Sequence, residues 1–320
     1  MRTDAIATLT TFLLLSIAPL GFAQQPRTGA GAIQERATTP ASSLETAEGV
    51  LEALEDGDVD LRTFDSGVAY TTISDLGGAL IQRVGTIAFA SDTAEDGAPR
   101  RRFAVEFDSL RRGERYLTGE AARQLIAFDG RWLWDKIYSE QQVNKREIVR
   151  QGETIDPFEL GDGPFPPLPI GQQKDEILRR YDVRLVPWNE SLTPDPDLDP
   201  SFPDEKREIE MATALMKFAE GAVQLRLVPK QSAGDSRFSE IRLWYKPDED
   251  GRLLPRMSRT VDASSRDVSI VQLMHPLRIN GPAREDLLQI TVDDEWMLTE
   301  TRLPPAEEGR TTRTTPQGTP

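Results

Sequence analysis

His275 is the only histidine in the 320 residues; it precedes Pro276 and has no acidic neighbour in sequence. One histidine cannot supply the spacing of a histidine-ligated metal site. A Ser-His-Asp system would need its serine on a sharp turn such as G-x-S-x-G, and no such pattern occurs. Gly77-Gly78 reads as a plain turn pair, and no Walker loop is present. With no cysteine in the chain, thiolate chemistry, disulfides and lipid attachment through sulfur are all excluded. Asp195 to Pro200 (DPDLDP) matches the first half of a calcium loop. The sixth and twelfth positions are Pro200 and Lys206, where Gly and Glu are required. Asn189-Glu190-Ser191 fits the glycosylation pattern. Carboxylates are abundant, so paired-carboxylate hydrolysis stays open, although no pair stands out.

The residues that could do something other than catalysis lie between Ile126 and Arg146 (IAFDGRWLWDKIYSEQQVNKR). Ile126, Ala127 and Phe128 run into Asp129-Gly130, a dipeptide suited to a tight hairpin turn. Trp132 and Trp134 alternate with Leu133 and Asp135, which puts both indoles on one face of a returning strand. A polar turn at Tyr138 to Gln141 leads to a further strand at Val143 to Arg146. Two readings stand for the aromatic face of this meander: an ordinary core, or a surface that binds something apolar.

The phrase DG-x-W-x-W followed by Gln142-Val143-x-Lys145, after two long strands, resembles the LolA-type periplasmic carriers of the lipoprotein-sorting family. The matching residues are Asp129, Gly130, Trp132, Trp134, Gln142, Val143 and Lys145. The second half is also similar: Leu225, Leu227 and Pro229, then Ile241, Leu243 and Trp244, then an acidic glycine turn and Leu254-Pro255. The resemblance spans most of the stretch from Leu44 to about Ile279.

At the N-terminus, Met1-Arg2 precedes an apolar run from Ile6 to Leu20, too short and too broken for a membrane span. Gly21-Phe22-Ala23 places small residues before a cut at Gln24, so residues 1–23 read as a secretory signal peptide, with a retained anchor as the alternative. Residues 24–43 read as a flexible linker, 44–303 as one carrier-like domain, and 304–320 as a disordered tail. The formal net charge of −15 opposes nucleic acid and anionic lipid headgroups. The exported product is expected to be soluble and periplasmic.

Along the domain, Ser43 is placed to cap a helix carrying Leu44, Ala47, Val50, Leu51 and Leu54, and Gly57 to stop it. Strands are expected at Leu61 to Ile73, Ile81 to Ala90 and Arg102 to Asp108, the last with Phe103, Val105 and Phe107 alternating against charged neighbours. Gln151 to Gln173 holds five prolines and four glycines among apolar residues, and reads as a lid or docking loop. Helices are expected at Lys174 to Tyr181 and Glu205 to Glu220. Further strands should lie at Val183 to Val186, Ala222 to Pro229, Phe238 to Tyr245, Leu253 to Val261, Asp267 to Met274 and Leu287 to Val292. Residues 187–221 look like an insertion relative to shorter carriers.

The expected fold is therefore α+β: a strongly curved antiparallel sheet, or incomplete β-barrel, with helices and a proline-rich lid over its concave face. The resemblance implies an acyl cavity on that face. Its lining is expected from Phe89, Phe103, Val105, Phe107, Trp132, Trp134, Leu225, Ile241 and Leu243, with Phe158, Leu160, Phe165 and Leu168 in the lid. In this family an arginine at the start of the third strand contacts the lid. That match falls on Arg100-Arg101-Arg102, with Arg101 at its centre.

The function implied is a carrier that shields lipoprotein acyl chains and delivers them towards the outer membrane, by binding alone. Its partners would be an inner-membrane release complex and an outer-membrane acceptor. No enzyme activity, cofactor, metal or nucleic acid is implied, and a monomer is expected. A lipid-sensing regulatory module of the same fold and an envelope hydrolase are the alternatives.

Overall fold

In a computed structural model, the described residues are 44–58, 61–76, 78–93, 99–150, 153, 173–231, 236–248 and 251–304. The expected signal peptide, the linker, the tail beyond residue 304 and the lid residues Phe158, Leu160, Phe165 and Leu168 lie outside them.

The chain opens with helix α1 (Ala47–Asp58). Its N-terminus is capped one turn later than the sequence suggested. The Gly49 N–H donates to Thr46 Oγ1 at 3.1 Å, so Thr46, not Ser43, satisfies the first turn. Gly57 lies inside the helix, its carbonyl accepting a hydrogen bond from Arg252.

Seven strands follow: β1 (Thr63–Ile73), β2 (Leu80–Thr93), β3 (Pro99–Arg112), β4 (Arg115–Thr118), β5 (Gln124–Phe128), β6 (Trp132–Ile137) and β7 (Gln142–Glu147). Helix α2 (Lys174–Arg180) leads directly into β8 (Tyr181–Val186), and helix α3 (Pro203–Ala219) precedes β9 (Val223–Pro229). Then come β10 (Phe238–Pro247), β11 (Leu253–Asp262), β12 (Val268–Ile279), the short helix α4 (Glu285–Leu288) and β13 (Met297–Thr301).

The strands form one sheet in the order β13-β7-β6-β5-β3-β2-β1-β12-β11-β10-β9-β8, with β4 paired to β3. All pairings are antiparallel except β13 with β7. Its two ends, β13 and β8, do not pair with each other among the described residues. The fold is thus α+β, an unclosed and mostly antiparallel sheet, an incomplete barrel with a few helices. It consists of two meanders stitched together where β1 meets β12.

Directly opposed residues on neighbouring strands share a face, so the register sorts the side chains into two layers. Phe64, Phe89, Phe103, Phe128 and Leu133 oppose one another in turn across β1, β2, β3, β5 and β6. With Val68, Ile87, Val105, Phe107, Val271 and Leu273 they form a buried, aromatic-rich cluster. Further across the same face, Leu225, Leu227, Ile241, Leu243 and Tyr245 are buried against Val50, Leu51 and Leu54 of α1 and Ile177 of α2. The opposite face carries Ala88, Ala90, Ala104, Leu125 and Ala127 beneath Leu287 and Leu288 of α4. It also carries Trp244, Met257 and Ile270 beneath Leu215 and Ala219 of α3.

The strand expected at Leu287 to Val292 is a correction: Glu285–Leu288 is helical. Two consecutive leucines are buried on one surface there, which a helical turn permits and strand alternation does not.

Buried charge is neutralised locally. Arg242, almost fully buried, lies 2.7 Å from Glu240 and 3.1 Å from Glu190. Arg226 at 2.7 Å and Arg259 at 3.4 Å approach the same Glu240 carboxylate. Burial alone would raise the Glu240 pKa, but hydrogen bonds from Arg242 and Arg226 outweigh it and hold the group below its ordinary value of 4.5. A carboxylate held low contributes stability above its unfolded pKa and loses it as pH falls through the folded one. Glu240→Gln should therefore cost about 1.5–3 kcal/mol at neutral pH. Its urea midpoint should also fall less than wild type on acidification below 4.5. Equal midpoints at neutral pH would show that the three arginines do not depend on Glu240.

Candidate binding site

The β5–β6 turn is built by one side chain. Asp129 Oδ1 accepts from the backbone N–H groups of Arg131 at 2.9 Å and Trp132 at 2.8 Å, and its Oδ2 accepts from Trp134 Nε1 at 2.8 Å. The Asp129 N–H donates to the Trp132 carbonyl at 3.2 Å, so Gly130 and Arg131 occupy the two central positions. Gly130 has φ +104°, and a Cβ there would also press on the Arg100 side chain at 2.9 Å. The Asp-Gly signal thus marks a real turn, displaced by one residue from the expected pair.

Trp132 and Trp134 do not join Phe103, Val105 and Phe107, which corrects the expected lining. Trp134 opposes Ala127, and Ala127 opposes Ala104, so both indoles belong to the alanine face. They are half-buried and covered by cations. Lys145 Nζ lies 4.1 Å from the Trp132 ring centroid and 4.9 Å from that of Trp134, and Arg131 lies 5.3 Å from Trp132. Lys145 is in turn paired with Glu300 of β13 at 2.7 Å. The resemblance motif therefore organises a turn and a cation–aromatic surface, not the aromatic cluster.

The remaining expected lining residues separate into two groups. Phe89, Phe103, Val105 and Phe107 come together in the aromatic cluster, all buried. Tyr70 stacks on Phe107 with centroids 6.3 Å apart, and Phe103 meets Phe128 at 6.2 Å. Leu225, Ile241 and Leu243 share the sheet face but are filled in by α1 and α2. A separate open groove of about 490 Å³ lies at the ends of β9 and β10 beside the β11–β12 turn, lined in part by Lys230, Phe238 and Ser264.

The arginine triplet divides by parity. Arg101 opposes Ser91 and stands two residues from Phe103, which puts it on the aromatic face. Arg102 turns to the alanine face, where it is nearly buried between Asp92 at 2.5 Å and Glu285 of α4 at 3.0 Å. Arg100 also binds Asp92, at 2.8 Å. Hydrogen bonding to Arg102 lowers the Glu285 pKa. For Asp92, burial pushes upward, but hydrogen bonds from Arg100 and Arg102 leave it net lowered.

The motifs considered for other chemistry find local structural roles. Asp195 Oδ1 accepts from the Asp197 N–H and Asp199 Oδ1 from the Ser201 N–H, so these carboxylates cap turns. No group of three or more His, Cys, Asp or Glu side chains among the described residues is arranged to hold a metal ion. His275 falls within β12, its side chain outside the described set. Among the described residues no helix is long and apolar enough to cross a membrane.

No protein-family model matches the chain, and no curated protein matches it. Among solved structures it is similar to a putative outer membrane lipoprotein-sorting protein domain from Vibrio parahaemolyticus, at 9% identity and TM-score 0.34, covering 75% of this chain and 95% of that one. It is also similar to a LolA superfamily protein from Nitrosomonas europaea, at 14% identity and TM-score 0.30, covering 77% and 98%. A third is the MucA/MucB complex of Pseudomonas aeruginosa, at 16% identity and TM-score 0.34, covering 77% of this chain and 61% of that one.

Proposed function

We propose that this protein binds the acyl chains of a lipid or lipoprotein in the cell envelope, using the aromatic face of β1, β2, β3 and β5, and carries them without chemical change. The observation that supports this is an asymmetry among the four apolar clusters. Three are each covered by a described helix, whereas the one built from Phe64, Phe89, Phe103, Val105, Phe107 and Phe128 has only strand and loop residues among its described members. It also holds Val149, two residues before the Gly/Pro-rich segment begins at Gln151. In this reading the segment carrying Phe158, Leu160, Phe165 and Leu168 is the lid, and Arg101 is the arginine that meets it. An acyl chain that replaces the lid against this face gains about 0.8 kcal/mol per buried CH₂.

The test uses cysteines at Phe165 and Val105 in a chain that has none. A fluorescent fatty acid should bind the reduced protein and fail to bind the cross-linked one. Equal binding in both states removes the lid, and no binding by wild type removes the acyl reading altogether. Transfer from loaded protein to acceptor vesicles then separates a carrier from a sensor, which would bind and not deliver.

A further inference from the structure

At one end of the sheet the β1–β2 turn and the β3–β4 hairpin lie side by side, joined by a hydrogen bond from the Gly113 N–H to the Leu80 carbonyl at 3.3 Å. The hairpin reads Arg111-Arg112-Gly113-Glu114-Arg115-Tyr116, and its three arginines are exposed. Its carboxylate is already engaged: Glu114 pairs with Arg207 of α3 at 2.6 Å. Asp75 in the adjoining turn is engaged as well, by Arg266 at 3.8 Å. None of Arg111, Arg112 and Arg115 has a carboxylate partner among the described residues, and Arg111 spends one N–H on the Gly113 carbonyl. Many arginines elsewhere are held by acids, as around Glu240, Asp92 and Asp65. In a chain of formal charge −15, this end is an unneutralised cationic point.

The same end carries exposed apolar side chains. Leu76 of the β1–β2 turn is 94% exposed, Tyr116 is 67% exposed, and Phe202, at the start of the α3 helix that Arg207 ties to the hairpin, is 57% exposed. A leucine and aromatics set among arginines match a bilayer interface. There the cations meet lipid phosphates, and the rings and the leucine enter the headgroup boundary. An acidic protein partner would reward the arginines but leaves Leu76 at the tip of a turn without a reason.

We propose that this end, centred on Arg111, Arg112, Arg115, Leu76 and Tyr116, docks the protein on an anionic lipid surface. The overall negative charge repels that surface in every other orientation, so the docking is directional. By register Arg112 and Arg115 oppose each other, and Arg112 follows Leu110, which opposes Arg83 and through it Tyr70. The docked edge therefore adjoins the aromatic face. The docking stands whether or not acyl cargo is bound, and its test needs no cargo.

Flotation is measured with vesicles of phosphatidylcholine alone and with about one third phosphatidylglycerol, at about 50 mM and about 500 mM NaCl. Wild type should float with the anionic vesicles at low salt only. Replacing Arg111, Arg112 and Arg115 together by Gln should weaken that binding at least about tenfold, since each cation near such a surface is worth about fivefold. Leu76→Ser should also weaken the low-salt binding, through loss of its apolar side chain from the headgroup boundary. Replacing the exposed Arg146, Arg184 and Arg302 by Gln makes the same change in net charge away from this end, and should leave binding within about twofold. Thermal melts of both triple variants check that they fold. Three results would each overturn the proposal: no flotation by wild type, equal binding to neutral vesicles, or equal losses in the two triple variants. Retention of the protein on poly-glutamate through these arginines, without flotation, would assign the surface to an acidic protein instead.

Discussion

Gly85→Ala should lower the stability of the fold by at least about 3 kcal/mol in a urea melt, more than the overpacking of an ordinary core position. The reason is backbone, not side chain. Between Val84 and Gly85 the β2–β3 register shifts, with Ser109 opposite Val84 and Phe107 opposite Gly85, so one residue of β3 bulges. A Cβ on Gly85 would overlap the Glu106 carbonyl oxygen and come within 2.7 Å of the Phe107 Cα. No rotamer relieves contact with main chain; β2 and β3 would have to separate in the middle of the sheet. Phe107 stands opposite Gly85 on the aromatic face and would be displaced with its strand, so the variant should also lose any acyl binding. A midpoint within experimental error of wild type would mean that the strands do not approach this closely.

Phe103→Ala should cost about 3–5 kcal/mol, and Trp134→Ala no more than about half of that. Phe103 is 0% exposed at the centre of the aromatic cluster and touches Phe128, so its removal leaves a hole walled by strands on both sides. Trp134 is half-buried on the other face; its loss frees a hydrogen bond to Asp129 and a contact with Lys145. Fatty-acid binding should distinguish them in the same direction: unchanged in Trp134→Ala and weakened in Phe103→Ala. The reverse order of stabilities, or a Trp134 variant that alone loses binding, would return the tryptophans to the binding face.

Most strands were legible because their apolar residues alternate cleanly, as at Phe103, Val105 and Phe107 or at Leu225 and Leu227. Helices α2 and α3 were legible from their spacing. What the alternation of a single strand does not contain is which of its two faces meets which face of its neighbour. Matching tryptophans to phenylalanines by type gave the wrong answer. Hairpin parity would have given the right one, since a loop of two or four residues after Phe128 leaves Phe128 facing with Arg131 or Leu133 and never with the indoles. Strand β13 was not read at all, because its residues are exposed and polar enough to show no pattern and it is held chiefly by backbone pairing to β7. Arg111-Arg112 and Arg115 form no motif in the sequence, and the cationic end was not read from it. That these three gather at one end without acid partners is a property of the fold alone.

The seam between β1 and β12 sets an order in time. Phe64 opposes Ile279 there, and Ile73 opposes Val268, so the first strand of the sheet finds its second neighbour only among the last fifth of the chain. The β1–β7 meander can zip up from hairpins as it is made, but β1 remains a bare edge until residue 268 and those after it are available. Pairing across so long an interval must overcome a large loop-closure entropy and is intrinsically slow. A chain that emerges N-terminus first therefore appears with its sheet unjoined, and the two halves meet only once β12 is free to pair.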